Sequence, residues 1–113
     1  MTLNEYQSLA LETAQYPDRG NNALYPALGL AGETGEAVDK VKKIWRNFGI
    51  TDGHQYTEAQ KWELAKEIGD VMWYVSALSY EIGYDLEDVA ETNIAKLRDR
   101  QTRGVIKSEG DNR

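Results

Sequence analysis

Residues 63–78, ELAKEIGDVMWYVSAL, place apolar side chains at a helical interval and set two carboxylates beside them. At about 100° per residue, Leu64, Ile68, Val71, Val75 and Leu78, followed by Ile82, fall on a single arc. Glu67 lies at the edge of that arc, and Asp70 lies beside it about 60° away and one turn further along. The helix starts at the cap residue Thr57 and stops at Gly83, which suits the position just past a helix end. Its length and period decide the fold class, because no segment of alternating polarity competes with it.

Three further helices follow from the same signals. The first begins at Thr2, spaced from Glu5 as in a capping box, and is ended after Tyr16 by Pro17. The second runs from about Asn22 to Arg46, with Pro26 tolerated in its first turn. The fourth opens at Asp85, with Asp88 three residues on, and reaches Arg103 before Gly104. The loop NFGITDGHQYT, residues 47–57, separates the second helix from the third. The expected architecture is all-α and four-helix bundle-like, with long second and third helices. It forms one domain over residues 1–104, followed by a disordered tail over 105–113.

The chain has 113 residues, 41% of them hydrophobic, which suits one modest core. Its net charge of -6 is the wrong sign for a general nucleic-acid binder, so a polyanionic ligand needs local cations. With no cysteine there are no disulfides, thiolate metal sites or thiol nucleophiles, in keeping with a reducing compartment. The N-terminus is too polar for a signal peptide, and no apolar run reaches transmembrane length. These features predict a soluble, cytoplasmic protein with no membrane or nucleic-acid partner.

The second helix carries a matching pair of carboxylates in GLAGETGEAV, residues 29–38. Leu24, Leu28, Ala31, Val38, Val41 and Trp45 form its main apolar stripe, while Glu33 and Glu36 lie one neighbour further round. Glu33 is flanked by Leu30, Ala37 and Ile44, and Glu36 is the more exposed of the two. One reading is a solvated face on which Glu36 pairs with Lys40 at i,i+4. The other has two facing helices presenting carboxylate oxygens to a hard cation, Mg²⁺ or Mn²⁺, without His or Cys. Gly29, Gly32 and Gly35 weigh toward the second, since each costs about 0.5–1 kcal/mol in a helix and together they thin one side for close approach.

With these residues in view, GLAGETGEAVDKV, then ELAKEIGDVMWYVSAL and YDLEDVAETNIAKLRDR, resemble the MazG-like nucleotide pyrophosphohydrolases, relatives of the dimeric all-α dUTPases. The resemblance covers about residues 20–103. Its signature is an ExxE pair followed by an ExxD pair, met by Glu33, Glu36, Glu67 and Asp70, and then an NxxKLxxR-like element at Asn93, Lys96, Leu97 and Arg100. The interval between the pairs is long for the family because of the loop from Asn47 to Tyr56.

The resemblance implies hydrolysis of a nucleoside triphosphate, usually a deoxynucleotide, to monophosphate and pyrophosphate. It also implies Mg²⁺ held by Glu33, Glu36, Glu67 and Asp70, and a homodimer or homotetramer. A water activated by metal or carboxylate would attack the α-phosphorus, with Glu36 and Glu67 as the catalytic carboxylates and Glu36 as the candidate base. Asn93 points inward on the fourth helix with Lys96 and Arg100 at its border. These three, with Tyr74, are the candidate substrate contacts, against the reading of a satisfied buried amide beside ordinary C-terminal helix cations. Trp45, Phe48, Trp62, Trp73 and Tyr74 are the aromatic candidates for base stacking, most of them better read as core or subunit contacts. His54, the single histidine, sits in an open loop, which argues against di-iron and His-Asp phosphohydrolase chemistry. The alternative from another class is a non-catalytic helical module that binds nucleotide or a protein partner.

Overall fold

Capping chemistry sets the helix ends close to where the sequence puts them. The computed structural model describes residues 1–112, with α1 at Leu3–Leu11, α2 at Leu24–Phe48, a short 3-10 turn at Gly53–Gln55, α3 at Glu58–Glu81 and α4 at Leu86–Arg103. Thr57 Oγ1 accepts from Gln60 N at 3.1 Å while Gln60 Oε1 accepts from Thr57 N at 2.9 Å, a complete capping box that starts α3. Gly49, at φ 69°, turns the chain out of α2 in a conformation that an L side chain adopts only with strain. No helix is long and apolar enough to cross a membrane.

The first helix is shorter than the sequence pattern predicts, ending at Leu11 instead of Tyr16. Thr13 and Ala14 donate to the carbonyls of Ala10 and Leu11 in tightened turns, and the chain then swings inward. Ala14 and Tyr16 pack with Ala77 to make the small buried core, flanked by Leu11 and Trp73. Continuing the helix would have spent Tyr16 on another direction. The Tyr16 ring instead stacks on Tyr25 at 5.0 Å and meets Trp73 edge-on at 6.4 Å.

Helices α2 and α3 are the principal pair and run antiparallel, since Gly29 lies against Tyr74 while Lys40, eleven residues on, reaches back to Glu67 and Glu63. A Cβ at Gly29 would overlap the Tyr74 ring, so this glycine makes the close approach that the small-residue row suggested. Gly32 and Gly35 do not, because nothing lies within 4 Å of a Cβ built on either.

The apolar stripes point elsewhere than expected. In α2 the side turned to α3 carries Pro26, Leu30, Glu33, Ala37, Lys40 and Ile44, whereas Leu24, Leu28, Val38 and Trp45 are 67%, 64%, 60% and 58% exposed. In α3, Ile68 is likewise exposed, as is Ile82 just past its end, and the buried positions are Ser76, Ala77 and Ser79. The radius of gyration is 16.8 Å, against about 13 Å for a compact domain of this length. One chain therefore leaves its strongest apolar faces uncovered.

The fourth helix is anchored by polar side chains of α1. Asp85 makes no side-chain cap, and the free amides of the first turn are met instead by Gln7 Oε1, which accepts from Leu86 N at 3.0 Å, and by Asn4 Oδ1, which accepts from Glu87 N at 3.0 Å. Gln7 is buried, and its Nε2 also donates to the carbonyls of Ser76 and Tyr84, both at 3.2 Å. One amide thus ties α1, the end of α3 and the start of α4 together. Beyond α4, the Asp111 carboxylate lies 3.2 Å from both Lys96 Nζ and Arg100 Nη2. Arg113, the last residue of the tail expected to be disordered, lies outside the described residues.

Replacing Gln7 with Ala removes its buried bonds to the Ser76 carbonyl and the Leu86 amide and its part-buried bond to the Tyr84 carbonyl, and truncations of this kind cost about 2–4 kcal/mol. Chemical denaturation of Gln7→Ala against wild type measures the loss, whereas Gln15→Ala, at an exposed position, is expected to change stability little.

Candidate metal centre

Backbone geometry brings the two acidic pairs to one level of the α2–α3 contact. Glu33 leaves α2 on the side turned to α3, one turn from Gly29, and Asp70 and Glu67 leave α3 about one and two turns from Tyr74. One oxygen from each of Glu33, Glu67 and Asp70 lies within 4.8 Å of the others. Glu33 and Glu67 are half-buried and Asp70 is exposed. Glu36, the fourth expected ligand, is exposed and stands outside that group, although its charge acts on Glu33.

The electrostatics are unfavourable as they stand. Burial pushes the Glu33 carboxyl above its ordinary range, and the negative charges of Glu36, Asp70 and Glu67 push it further. Glu33 Oε2 and Glu67 Oε2 are both buried with no hydrogen-bond partner among the described residues. Lys40 compensates partly, its Nζ 3.7 Å from Glu67 Oε1 and 3.9 Å from Glu63 Oε2. The i,i+4 pairing of Glu36 with Lys40 considered from the sequence is not formed, because the lysine crosses to α3 instead. Oxygen-only donors, closely spaced and carrying orphaned buried oxygens, fit a hard divalent cation.

A cleft of about 340 Å³ opens beside the carboxylates, lined by Thr13, Glu33, Asp70, Trp73 and Tyr74. Trp73 is fixed there by α1, its Nε1 donating to Thr13 Oγ1 at 2.9 Å and to the Ala10 carbonyl at 3.2 Å. Tyr74 meets Trp73 edge-on at 5.0 Å, and burial, followed by the Tyr25, Glu33 and Asp70 charges, raises its phenol pKa. Tyr74 therefore remains a hydrogen-bond donor at neutral pH. The loop that carries Thr13 and Tyr16 is tied down at its far end by Glu81, whose Oε1 accepts from Gly20 N at 2.6 Å.

Of the sequence candidates, Glu33, Asp70, Tyr74 and Trp73 line this cleft, and Glu67 joins Glu33 and Asp70 in the carboxylate group beside it. Asn93 and Lys96 line a different groove with Ile82, Tyr84, Asp88, Val89 and Thr92, and Arg100 is buried against Asp111. Trp45, Phe48, Trp62 and His54 are exposed and line no part of the acidic cleft. Sequence reasoning missed Thr13, which it placed inside a helix, and Lys40's reach to α3. The visible signal for Lys40 was its seven-residue spacing from Glu33, which puts both on one helix face.

The MazG nucleotide pyrophosphohydrolase domain model matches residues 22–105, which span α2, α3 and α4. The chain belongs to this family. The MazG-family chain is also 42% identical over 118 aligned positions to the Gene 37 protein of Mycobacterium phage L5, with both chains covered in full. No solved structure matches it. All four acidic positions, and the helix bearing Asn93, Lys96 and Arg100, lie inside the matched MazG region.

A raised Glu33 pKa has a defined sign in stability. Because the folded carboxyl holds its proton to higher pH than the unfolded one, the metal-free fold loses stability as pH rises from the ordinary value of 4.5 through the raised one. Glu33→Gln removes that loss. Its melting temperature in chelator at pH 7 is expected to exceed wild type, with the gain shrinking below pH 4.5, as followed by circular dichroism.

Proposed function

We propose that the protein is a Mg²⁺-dependent nucleoside triphosphate pyrophosphohydrolase that converts a (d)NTP to (d)NMP and pyrophosphate. The observation that carries this reading is the group of Glu33, Glu67 and Asp70, with one oxygen from each inside 4.8 Å and with an orphaned buried oxygen on both Glu33 and Glu67, beside a cleft walled by Trp73 and Tyr74. Membership of the MazG nucleotide pyrophosphohydrolase family supports it.

Glu33, Glu36, Glu67 and Asp70 would hold Mg²⁺, with Mn²⁺ as a substitute. When bound, the cation offsets the charge of the carboxylates and the triphosphate and makes nearby water more acidic. The chain's own groups do the rest. Glu36, exposed at the edge of the cluster, accepts a proton from the attacking water, and Glu67 orients that water toward the α-phosphorus. The new P–O bond forms as the α–β phosphoanhydride breaks, and pyrophosphate leaves. Tyr74 and Trp73 offer a donor and a ring face to the nucleoside.

Asn93, Lys96 and Arg100 are assigned to the phosphates. In one chain they line no part of the acidic cleft, and the exposed stripe of α2 lacks a partner. We therefore read the working enzyme as a homodimer or homotetramer in which the α2 stripes are covered and these cations meet a neighbouring copy's cleft. Its place is the cytoplasm with the nucleotide pool, without nucleic-acid or membrane partners.

Pyrophosphate release from a panel of dNTPs and NTPs tests the activity. At least one nucleotide is expected to be cleaved with Mg²⁺ and none in chelator, and Glu67→Gln is expected to lower the rate by about 100-fold or more. No release from any nucleotide would overturn the reading. For assembly, sedimentation at micromolar concentration is expected to show an oligomer that Val38→Glu dissociates. A monomeric wild type would refute it.

A further inference from the structure

Lys40 is the cation paired with the carboxylate group among the described residues, and the manner of its pairing is unusual within this chain. The other paired lysines lie within hydrogen-bond distance of a carboxylate, from Lys43 with Asp39 at 2.7 Å and Lys66 with Glu63 at 2.9 Å to Lys61 with Glu58 at 3.4 Å. Lys40 Nζ instead stands 3.7 Å from Glu67 and 3.9 Å from Glu63, beyond hydrogen-bond reach of either. A lysine that served only to pin α2 to α3 would close on one of them. This amine is held by the field of several carboxylates and is locked to none.

The two anions it lies between differ in surroundings. The Glu67 side chain is 17% exposed and belongs to the acidic cluster, whereas that of Glu63 is 52% exposed and stands one turn outward on α3. Lys40 thus has an inner and an outer carboxylate within reach of one flexible stem. Meanwhile Glu33 Oε2 and Glu67 Oε2 are left without hydrogen-bond donors, so the lysine neutralises charge without satisfying those oxygens.

We propose that Lys40 is the resident counter-ion of the metal-free cluster and a competitor of the divalent cation. It keeps α2 and α3 together while the site is empty and withdraws toward Glu63 when the cation enters. This inference rests on the reading of Glu33, Glu67 and Asp70 as cation ligands. Lys40 is a positioning residue in this scheme, and its charge tunes the affinity of the site for metal.

Mn²⁺ binding by calorimetry, with no nucleotide present, reads the proposal directly. A unit charge a few ångströms from a divalent ion weakens its binding by roughly tenfold at water-like dielectric, and less where the side chain can swing away. Lys40→Met is therefore expected to bind Mn²⁺ about three- to tenfold more tightly than wild type. Its melting temperature should be lower in chelator and restored by saturating Mn²⁺. Lys40→Arg, which keeps the charge, is expected to bind as wild type does. Unchanged or weaker Mn²⁺ binding by folded Lys40→Met would overturn the proposal while leaving the cation site standing, provided Glu67→Gln loses binding. If wild type and Glu67→Gln both fail to bind Mn²⁺, the cation reading falls and this inference with it.

Discussion

The contact between α2 and α3 is built around like charge. Glu33, Glu67 and Asp70 meet where two helices pack, and one flank of that contact is aromatic while the other holds a single lysine. Carboxylates brought together out of water repel one another and lose hydration, so they resist the packing that positions them. The structure answers with geometry: Gly29 lets the Tyr74 ring lie against the α2 backbone, and Pro26 and Ile44 close the helix contact at either end. The acidic cluster is therefore clamped from above and below. The orphaned oxygens of Glu33 and Glu67 mark the strain that remains.

That clamp is supported by a second arrangement, built on α1. Gln7 binds the carbonyls of Ser76 and Tyr84 and the amide of Leu86, so the short α1 is fixed against α3 and α4. Fixing α1 in turn fixes Thr13 and Ala10, which receive the Trp73 indole N–H. Tyr16 follows, stacking on Tyr25 and leaving Ala14 against Ala77. The cleft wall beside the carboxylates is thus set by a chain of polar contacts that begins in α1. A hydroxyl and an indole are positioned by groups that share no sequence neighbourhood with the acidic pairs.

Much of this was legible in the sequence, and the parts that were not share one cause. Helix ends depend on residues within a turn of one another, which is why Thr57, Gly83 and Gly104 act as their chemistry predicts. The pairing of Glu33 with Glu67 and Asp70 was readable because each pair sits out of place on its own helix. The first helix was misjudged in length because Pro17 supplies a latest stop, whereas the inward pull on Ala14 and Tyr16 comes from α3. For Lys40 the sequence offers Glu36 as an i,i+4 partner, because that neighbour is visible locally and a carboxylate on the neighbouring helix is not. Gly32 and Gly35 were grouped with Gly29 by spacing, yet they turn to a side that nothing in the chain covers.

The sequence by itself determined that the protein is helical, where α3 and α4 stop, and that Glu67 and Asp70 border an apolar arc, because each of these follows from local spacing and capping. Only the tertiary structure decided which arc of α2 meets α3. The wheel offers the apolar stripe of Leu24, Leu28, Val38 and Trp45 as the natural inner face, and the molecule instead turns the Glu33 and Lys40 side inward. Periodicity identifies a face that avoids water but does not say what covers it. Here close approach at Gly29, the aromatic group around Trp73 and Tyr74, and the reach of Lys40 chose the polar-edged arc, and that choice assembles the site.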